Sequence, residues 1–296
     1  MPEGWRAWLA GARPRTLPAA IVPVAVGTAC AAEPGPITAW RALAAGAVAL
    51  LLQIGTNFAN DYSDGVRGTD APGLRVGPVR LVGWGIKPPP AVKRAALVCF
   101  GGAALAGLSL ALAVGPELIL VGAAAIAAGW FYTGGKHPYG YYGFGELFVF
   151  VFFGLVATAG SAYVQREQLT ALAILAGVPV GLFSTALLVI NNLRDIPGDT
   201  ESGKKTLAVR LGDKRTRVLY VGLLVVAFLV FVPIVAGGFG RPWAAAALVG
   251  VVLARQPVVR VLEGARGPDL IPVLAATGQL QLIAGLAFAA GLWLSP

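Results

Sequence analysis

Nine long apolar segments follow one another along the chain, and they constrain the fold more than any other feature. They lie near residues 17–32, 42–60, 95–114, 117–132, 147–164, 169–192, 218–237, 243–259 and 270–294. Runs of roughly 17–25 apolar residues can cross the hydrocarbon core of a bilayer as helices. Only 12% of the residues are charged, against about 25% in an ordinary soluble domain. The sequence therefore predicts an all-α integral membrane protein of about nine transmembrane helices, in one domain over residues 1–296.

The basic residues divide unevenly between the two sides of such a bundle. If the N-terminus is inside, twenty of the 23 Lys and Arg residues lie on the cytoplasmic side, and only Arg41, Arg166 and Arg241 lie outside. Basic residues in short cytoplasmic loops set the orientation of a membrane protein. This distribution also explains the net charge of +9 without a nucleic acid partner. We therefore expect a multi-pass plasma-membrane protein; if the eighth segment instead lies along the surface, the C-terminus moves inside.

A cluster of carboxylates and carboxamides closes the second apolar segment. It comprises Asn57, Asn60, Asp61, Asp64 and, in the following loop, Asp70. The first four recur at three- and four-residue steps, which places them on one helical face. Carboxylates at a membrane boundary are costly unless a cation lies among them, and hard oxygen donors suit Mg²⁺. The alternative interpretation is a solvated loop with Asn and Asp as turn residues.

A second acidic cluster closes the sixth segment, on the same predicted side. Asp195 and Asp199 lie four residues apart behind Arg194, and Pro197 between them predicts the end of the helix. The basic stretch 203–212 follows and can meet phosphate oxygens. Alone, this segment fits an ordinary positive-inside loop equally well. Facing the first cluster, it predicts a site where Mg²⁺ and a diphosphate lie between two acidic motifs that would otherwise repel each other.

The two motifs, their separation of about 130 residues and their shared side resemble the UbiA superfamily of membrane prenyltransferases. That family has nine helices around one central cavity, and the resemblance covers nearly the whole chain. Its first motif places two Asp at successive four-residue steps after an Asn. Asn60 and Asp64 fit that pattern, but the next position is Gly68 and the third acid is displaced to Asp70. Asp195 and Asp199 match the second motif directly.

Two further stretches narrow the resemblance to one branch of the family. Residues 60–70 with 75–82, and residues 132–146 with 152–154, are similar to the branch that prenylates 1,4-dihydroxy-2-naphthoate. The resemblance implies transfer of a polyprenyl group from an allylic diphosphate to the naphthoate ring. The ring loses its carboxylate as CO₂, and the product is demethylmenaquinone, a menaquinone precursor.

The roles expected of single residues follow from the motifs and from this resemblance. The expected metal ligands, for Mg²⁺, are Asp61, Asp64, Asp70, Asp195 and Asp199. The expected diphosphate ligands are Asn60, Arg67, Lys136, Arg194 and Lys205. The catalytic residues are expected to be Asp64, Asp195, Asp199 and Lys136. In the loop between the fourth and fifth segments, ring faces and hydroxyls suggest contact with an allylic cation or a phenolic acceptor. The candidates there are Tyr132, Tyr139 and Glu146, although an interfacial aromatic belt explains single tyrosines equally well.

Other functions remain open from the sequence. Residues 61–65 fit the start of a CDP-alcohol phosphotransferase motif, but that motif keeps its acids in one short segment. A cation-coupled transporter is a candidate of another class, although transporter acids lie near the bilayer midplane and these lie at helix ends. Within the resembled family, 4-hydroxybenzoate, a chlorin, haem or a sugar phosphate are alternative acceptors. The sequence does not specify the length of the prenyl chain.

Overall fold

The structure is a computed structural model that describes residues 2–32, 35–70, 77, 79–236 and 239–295, without the side chains of 232–236. Within these residues, ten helices form the framework of the chain. Short 3₁₀ segments join some of them. The helices are α1 Gly4–Ala12, α2 Pro18–Cys30, α3 Ala39–Val66, α4 Pro89–Ala113, α5 Glu117–Phe131, α6 Gly145–Arg166, α7 Ala171–Glu201, α8 Leu207–Ala236, α9 Pro242–Leu262 and α10 Leu270–Leu294.

Each of the nine predicted apolar segments falls on one of the helices α2 to α10. Within the described residues, α3, α4, α6, α7 and α9, together with Gly267–Leu294, are long and apolar enough to span a bilayer, while α2 and α5 are shorter apolar helices. The all-α membrane fold is therefore confirmed, whereas the exact number of spans stays a prediction. The short helix α1 was not predicted.

Small residues allow the helices to pack closely. A Cβ atom on Gly154 of α6 would lie 2.5 Å from Gly181 Cα of α7, so the two backbones touch there. Such contacts between small residues are how membrane helices associate without a hydrophobic driving force. Gly154 and Gly181 are thus packing residues between α6 and α7.

The eighth predicted segment packs lengthwise in the bundle. Gly291 of α10 lies against Trp243 and Ala244 near the start of α9, and Gly250 of α9 lies against Ala284 of α10. The two helices are therefore antiparallel neighbours over several turns. This arrangement favours a spanning segment over one that lies along the surface.

The loops that carry the predicted site residues meet at one end of the bundle, called the motif end below. Arg67 after α3 donates hydrogen bonds to the carbonyls of Thr133 and Gly135 after α5, and the Lys205 N–H after α7 donates to the Tyr141 carbonyl (2.9 Å). At the opposite, far end, Arg41 donates to the carbonyls of Ala113 (3.3 Å) and Val164 (2.9 Å). The two acidic motifs therefore share one end, away from Arg41.

Candidate active site

A cavity of about 730 Å³ lies among helices α2 to α7, with Ala10 of α1 and Ile271 and Leu274 of α10 also in its wall, and it extends from the motif end towards the far end. At the motif end its wall carries polar side chains, and along the remaining helices the wall is largely apolar. The polar part of the wall includes Asn60, Asp64, Arg194, Asp199 and Lys204. Such a cavity fits an amphiphilic ligand whose charged head lies at the motif end.

Asp64 is the centre of the polar wall. It lies in the last helical turns of α3, and only 3% of it is exposed. Tyr141 Oη donates to Asp64 Oδ1 (2.6 Å), and Lys204 Nζ donates to Asp64 Oδ2 (2.9 Å). The Lys204 ammonium also lies 4.8 Å from the centre of the Tyr141 ring. Both partners reach Asp64 from distant loops, so this carboxylate ties the loops after α5 and α7 to α3.

Sequence reasoning selected Lys205 for the diphosphate, but it is Lys204 that lines the cavity. Lys205 instead lines a smaller surface pocket together with Arg67 and Lys136; Tyr141 lines both this pocket and the cavity, and the smaller pocket is called the mouth. Gly203 adopts a φ of +74°, a left-handed conformation that turns the chain just before these two lysines. Lys204 was overlooked because the basic run Lys204-Lys205 does not indicate which of the two side chains points inward.

Asp61 and Asp70 hold the loop that follows the first motif. The N–H groups of Leu81 and Val82 donate to the two oxygens of Asp61, each at 2.9 Å. Asp70 pairs with Arg80 (3.1 Å). Neither carboxylate is among the cavity-lining residues of the described part of the chain. Their metal-ligand assignments stay predictions, and the observed contacts give both a folding role. Arg75, Val76 and Pro78 of the resembled stretch lie outside the described residues.

The second motif is built on the last turns of α7. Contrary to the sequence-based expectation, Pro197 does not end the helix, which continues to Glu201. The turn beyond the proline is held by the Ser202 N–H, which donates to the Gly198 carbonyl (3.0 Å). A proline inside a helix removes one backbone hydrogen-bond donor, but the backbone hydrogen bond beyond it is retained and the helix continues.

The two carboxylates of the second motif have different surroundings. Arg194 forms a bidentate pair with Asp195, at 2.7 and 2.8 Å, and both side chains are about 1% exposed. Arg194 also lines the cavity, and its Nη1 finds no hydrogen-bond acceptor among the described residues. Asp199, one turn later, lines the cavity itself. The motif thus offers the cavity one carboxylate and one buried guanidinium.

The aromatic candidates are largely fixed by their neighbours. Tyr139 Oη donates to the Ala128 carbonyl (2.9 Å), and its ring stacks on Phe148 with centroids 4.0 Å apart. The Tyr132 ring lies 5.5 Å from that of Tyr139, and both line the cavity. Burial raises the pKa of Tyr139 above its ordinary value. Its hydroxyl therefore stays protonated at neutral pH, and Phe148 covers one face of its ring.

Tyr141 and Glu146 take part through hydrogen bonds. Burial and the Asp64 carboxylate raise the pKa of Tyr141, which keeps its hydroxyl a donor. Glu146 is buried at the start of α6 and accepts from Asn192 Nδ2 (2.9 Å). Asn192 lines the cavity, whereas Glu146 lies behind it. Glu146 thus orients a carboxamide of the cavity wall, and its predicted contact with the acceptor stays a prediction.

The predicted site residues fall into three groups. Those that line the cavity are Asn60, Asp64, Tyr132, Tyr139, Arg194 and Asp199. Those at the mouth are Arg67, Lys136 and Lys205. Those that form hydrogen bonds or ion pairs outside the cavity lining are Asp61, Asp70, Glu146 and Asp195. Within the described ranges, no group of three or more His, Cys, Asp or Glu side chains is arranged to hold a metal, so the five predicted carboxylate ligands do not converge on one point.

Comparisons with known proteins agree on one family. Residues 20–268 match the model of the UbiA prenyltransferase family. The chain is 52% identical to the 1,4-dihydroxy-2-naphthoate octaprenyltransferase of Mycobacterium tuberculosis, with 96% of each chain covered. It is 38% identical to the Escherichia coli protein of the same name, with 98% of this chain and 96% of that protein covered.

Solved structures share the fold at much lower identity. The apo structure of a UbiA homolog from Aeropyrum pernix K1 superposes with a TM-score of 0.71 at 16% identity, over 92% of this chain and 97% of that one. A UbiA homolog from Archaeoglobus fulgidus, bound to DMAPP and Mg²⁺, gives a TM-score of 0.58 at 14% identity, over 96% of this chain and 99% of that one.

Proposed function

The chain belongs to the UbiA prenyltransferase family, and we therefore propose that it transfers a polyprenyl group from an allylic diphosphate to 1,4-dihydroxy-2-naphthoate. The observation that carries the proposal is the cavity, charged at the motif end and apolar along the rest of its wall. A prenyl diphosphate has the same polarity along its length. The naphthoate acceptor rests on the relatives, which carry that activity in their names.

The reaction breaks the bond between the allylic carbon and the diphosphate oxygen. The ring carbon that bears the carboxylate then bonds to the allylic carbon, and the carboxylate leaves as CO₂ while its electron pair restores the aromatic ring. The product is the reduced form of demethylmenaquinone. The apolar wall keeps water from the allylic cation, and the faces of Tyr132 and Tyr139 are placed to stabilise it.

We propose Mg²⁺ as the cofactor, and the residues present fit it. Mg²⁺ is usually held by one or two carboxylates together with substrate phosphates rather than by a cage of protein ligands. Asp64 and Asp199, which line the same cavity, would supply those carboxylates. When bound, the ion neutralises charge on the departing diphosphate. Lys204 and Arg194, whose Nη1 finds no acceptor among the described residues, are nearby cationic donors for its oxygens.

Product mass tests the activity directly. Membranes that contain the protein should convert 1,4-dihydroxy-2-naphthoate and a prenyl diphosphate, with Mg²⁺, into the prenylated and decarboxylated quinol. We expect no product when EDTA replaces Mg²⁺, and little with 4-hydroxybenzoate as the acceptor. Full turnover in metal-free buffer would refute the metal role. Preferred prenylation of 4-hydroxybenzoate would refute the acceptor.

We further propose that the protein lies in the plasma membrane with the motif end in the cytoplasm. The concentration of basic residues at that end supports this orientation. Single cysteines at the exposed positions Lys214, near the motif end, and Gln168, near the far end, can be tested with an impermeant thiol reagent on intact cells, after replacement of Cys30 and Cys99. Labelling at 168 but not at 214 is expected. Labelling at 214 alone would reverse the orientation.

A further inference from the structure

Two buried carboxamides of α3 lie outside the charged part of the cavity wall. Gln53 and Asn57 are one helical turn apart, line the cavity, and are 8% and 3% exposed. Along the helix axis, at about 1.5 Å per residue, Asn57 lies about 10 Å and Gln53 about 16 Å from Asp64. The two carboxamides therefore form a neutral polar patch of the cavity wall, beyond the end that carries the acidic motifs.

Thr16, in the turn between α1 and α2, determines how both carboxamides are oriented. Its hydroxyl donates its one proton to the Arg13 carbonyl (2.9 Å), so its oxygen can only accept from its other neighbours. Gln53 Nε2 (3.0 Å) and Asn57 Nδ2 (3.2 Å) both donate to that oxygen, and Asn57 Nδ2 also donates to the Ala12 carbonyl (2.9 Å). Both amide nitrogens are therefore fixed towards this turn, and the hydrogen-bond network thereby assigns the positions of the two carbonyl oxygens.

The two carbonyl oxygens are available to a ligand. Among the described residues, no group donates a hydrogen bond to Gln53 Oε1 or Asn57 Oδ1, and both side chains line the cavity. A carboxamide oxygen accepts hydrogen bonds and cannot donate them. A buried acceptor that faces an apolar group of a ligand loses its hydrogen bond to water, which costs free energy. The patch therefore selects a ligand that offers two hydrogen-bond donors spaced by about one helical turn.

We propose that these carboxamides recognise the two hydroxyls of the naphthoate ring, Asn57 the one at C1 and Gln53 the one at C4. The proposal rests on the proposed function, because it concerns the ring that receives the prenyl group. The hydroxyls lie on opposite sides of one ring, and side chains at i and i+4 of a helix have Cβ atoms about 5–6 Å apart, which matches that span. The reacting carbon C2 is bonded to C1 and must face the allylic carbon on the Asp64 side. C1 therefore lies towards Asn57, the nearer carboxamide, and C4 lies towards Gln53.

The binding of two ring compounds to the purified protein tests this proposal. 1,4-Dihydroxy-2-naphthoate and 1-hydroxy-2-naphthoate, which lacks the C4 hydroxyl, are titrated by calorimetry without oxygen and without a prenyl donor. We expect the wild type to bind the dihydroxy compound at least about tenfold more tightly. In Gln53→Met this preference should fall to within about threefold, whereas Asn57→Leu should weaken the binding of both compounds and keep the preference. The matched control is Gln281→Met on α10, which should also keep the preference. Gln281 is a buried carboxamide that donates to Ser184 Oγ (2.7 Å) and is not among the described residues of the cavity lining.

Three outcomes would overturn the proposal. Equal affinity of the wild type for the two compounds would exclude a contact to the C4 hydroxyl, and this measurement needs no variant. A folded Gln53→Met protein that keeps the full preference would place the C4 hydroxyl elsewhere. Loss of the preference in Asn57→Leu instead of Gln53→Met would reverse the ring. Failure of the proposed function gives a different result: with Mg²⁺ and a prenyl diphosphate, the wild type forms no naphthoate product, whatever the two affinities are.

Discussion

The two acidic motifs meet at the same cavity, but they are held in different ways. Asp64 of the first motif is bound by Tyr141 and Lys204, which come from loops 77 and 140 residues away in the chain. Asp195 of the second motif is bound by Arg194, its immediate neighbour. The first motif is therefore a centre of tertiary contacts, whereas the described contacts of Asp195 come from Arg194 and Asn191 of its own helix.

The same comparison separates the carboxylates of each motif by their surroundings. Asp64 and Asp199 line the cavity, and Asp61, Asp70 and Asp195 hold neighbouring backbone or guanidinium groups. We therefore expect one carboxylate per motif, Asp64 and Asp199, to contact a diphosphate-bound metal ion, while the metal-ligand assignments of Asp61, Asp70 and Asp195 stay predictions. A repeat of Asp residues in sequence does not show this division, because structural and ligand-binding carboxylates look alike there.

The largest expected effect separates Asp64 from Asp195. Asp64→Asn should lower kcat by about 10²–10³-fold, comparable to the loss of one strong electrostatic contact in a transition state, and should raise the Mg²⁺ concentration needed for half-maximal rate. Asp195→Asn leaves Arg194 buried without its partner, which costs about 3–5 kcal/mol, so we expect a lower melting temperature as well as lower activity. Rates and thermal unfolding of both variants in detergent check this. A near-native rate for folded Asp64→Asn would contradict the assignment.

The next effect separates two adjacent cations. Lys204→Met removes the buried ammonium that faces Asp64, and we expect kcat/KM for the prenyl diphosphate to fall by about 10²-fold. Lys205→Met, the matched control, alters only the mouth of the cavity, and we expect a change of less than about threefold. Equal losses in the two variants would place the diphosphate at the mouth instead.

The fold was predictable from the sequence, whereas the exact composition of the site was not. In the bilayer, each spanning segment must satisfy its own backbone hydrogen bonds, which an α-helix does. All nine predicted apolar segments therefore coincide with helices. The shared end of the two motifs followed from the same count of segments. Side-chain direction depends on finer detail that the sequence does not show: Lys204 rather than Lys205 faces Asp64, and a loop twenty residues away donates to Asp61.

The smallest expected effect concerns Asp61, whose two oxygens accept from backbone N–H groups of Leu81 and Val82. In Asp61→Asn, one of these donors faces an amide nitrogen and loses its acceptor. An unsatisfied buried donor costs about 1–3 kcal/mol. We therefore expect a lower unfolding temperature in detergent, a rate within about fivefold of the wild type, and an unchanged Mg²⁺ concentration for half-maximal activity. Asp64→Asn is the control, because there the Mg²⁺ dependence should shift. The same shift in Asp61→Asn would make Asp61 a metal ligand and would end the division of tasks within the first motif.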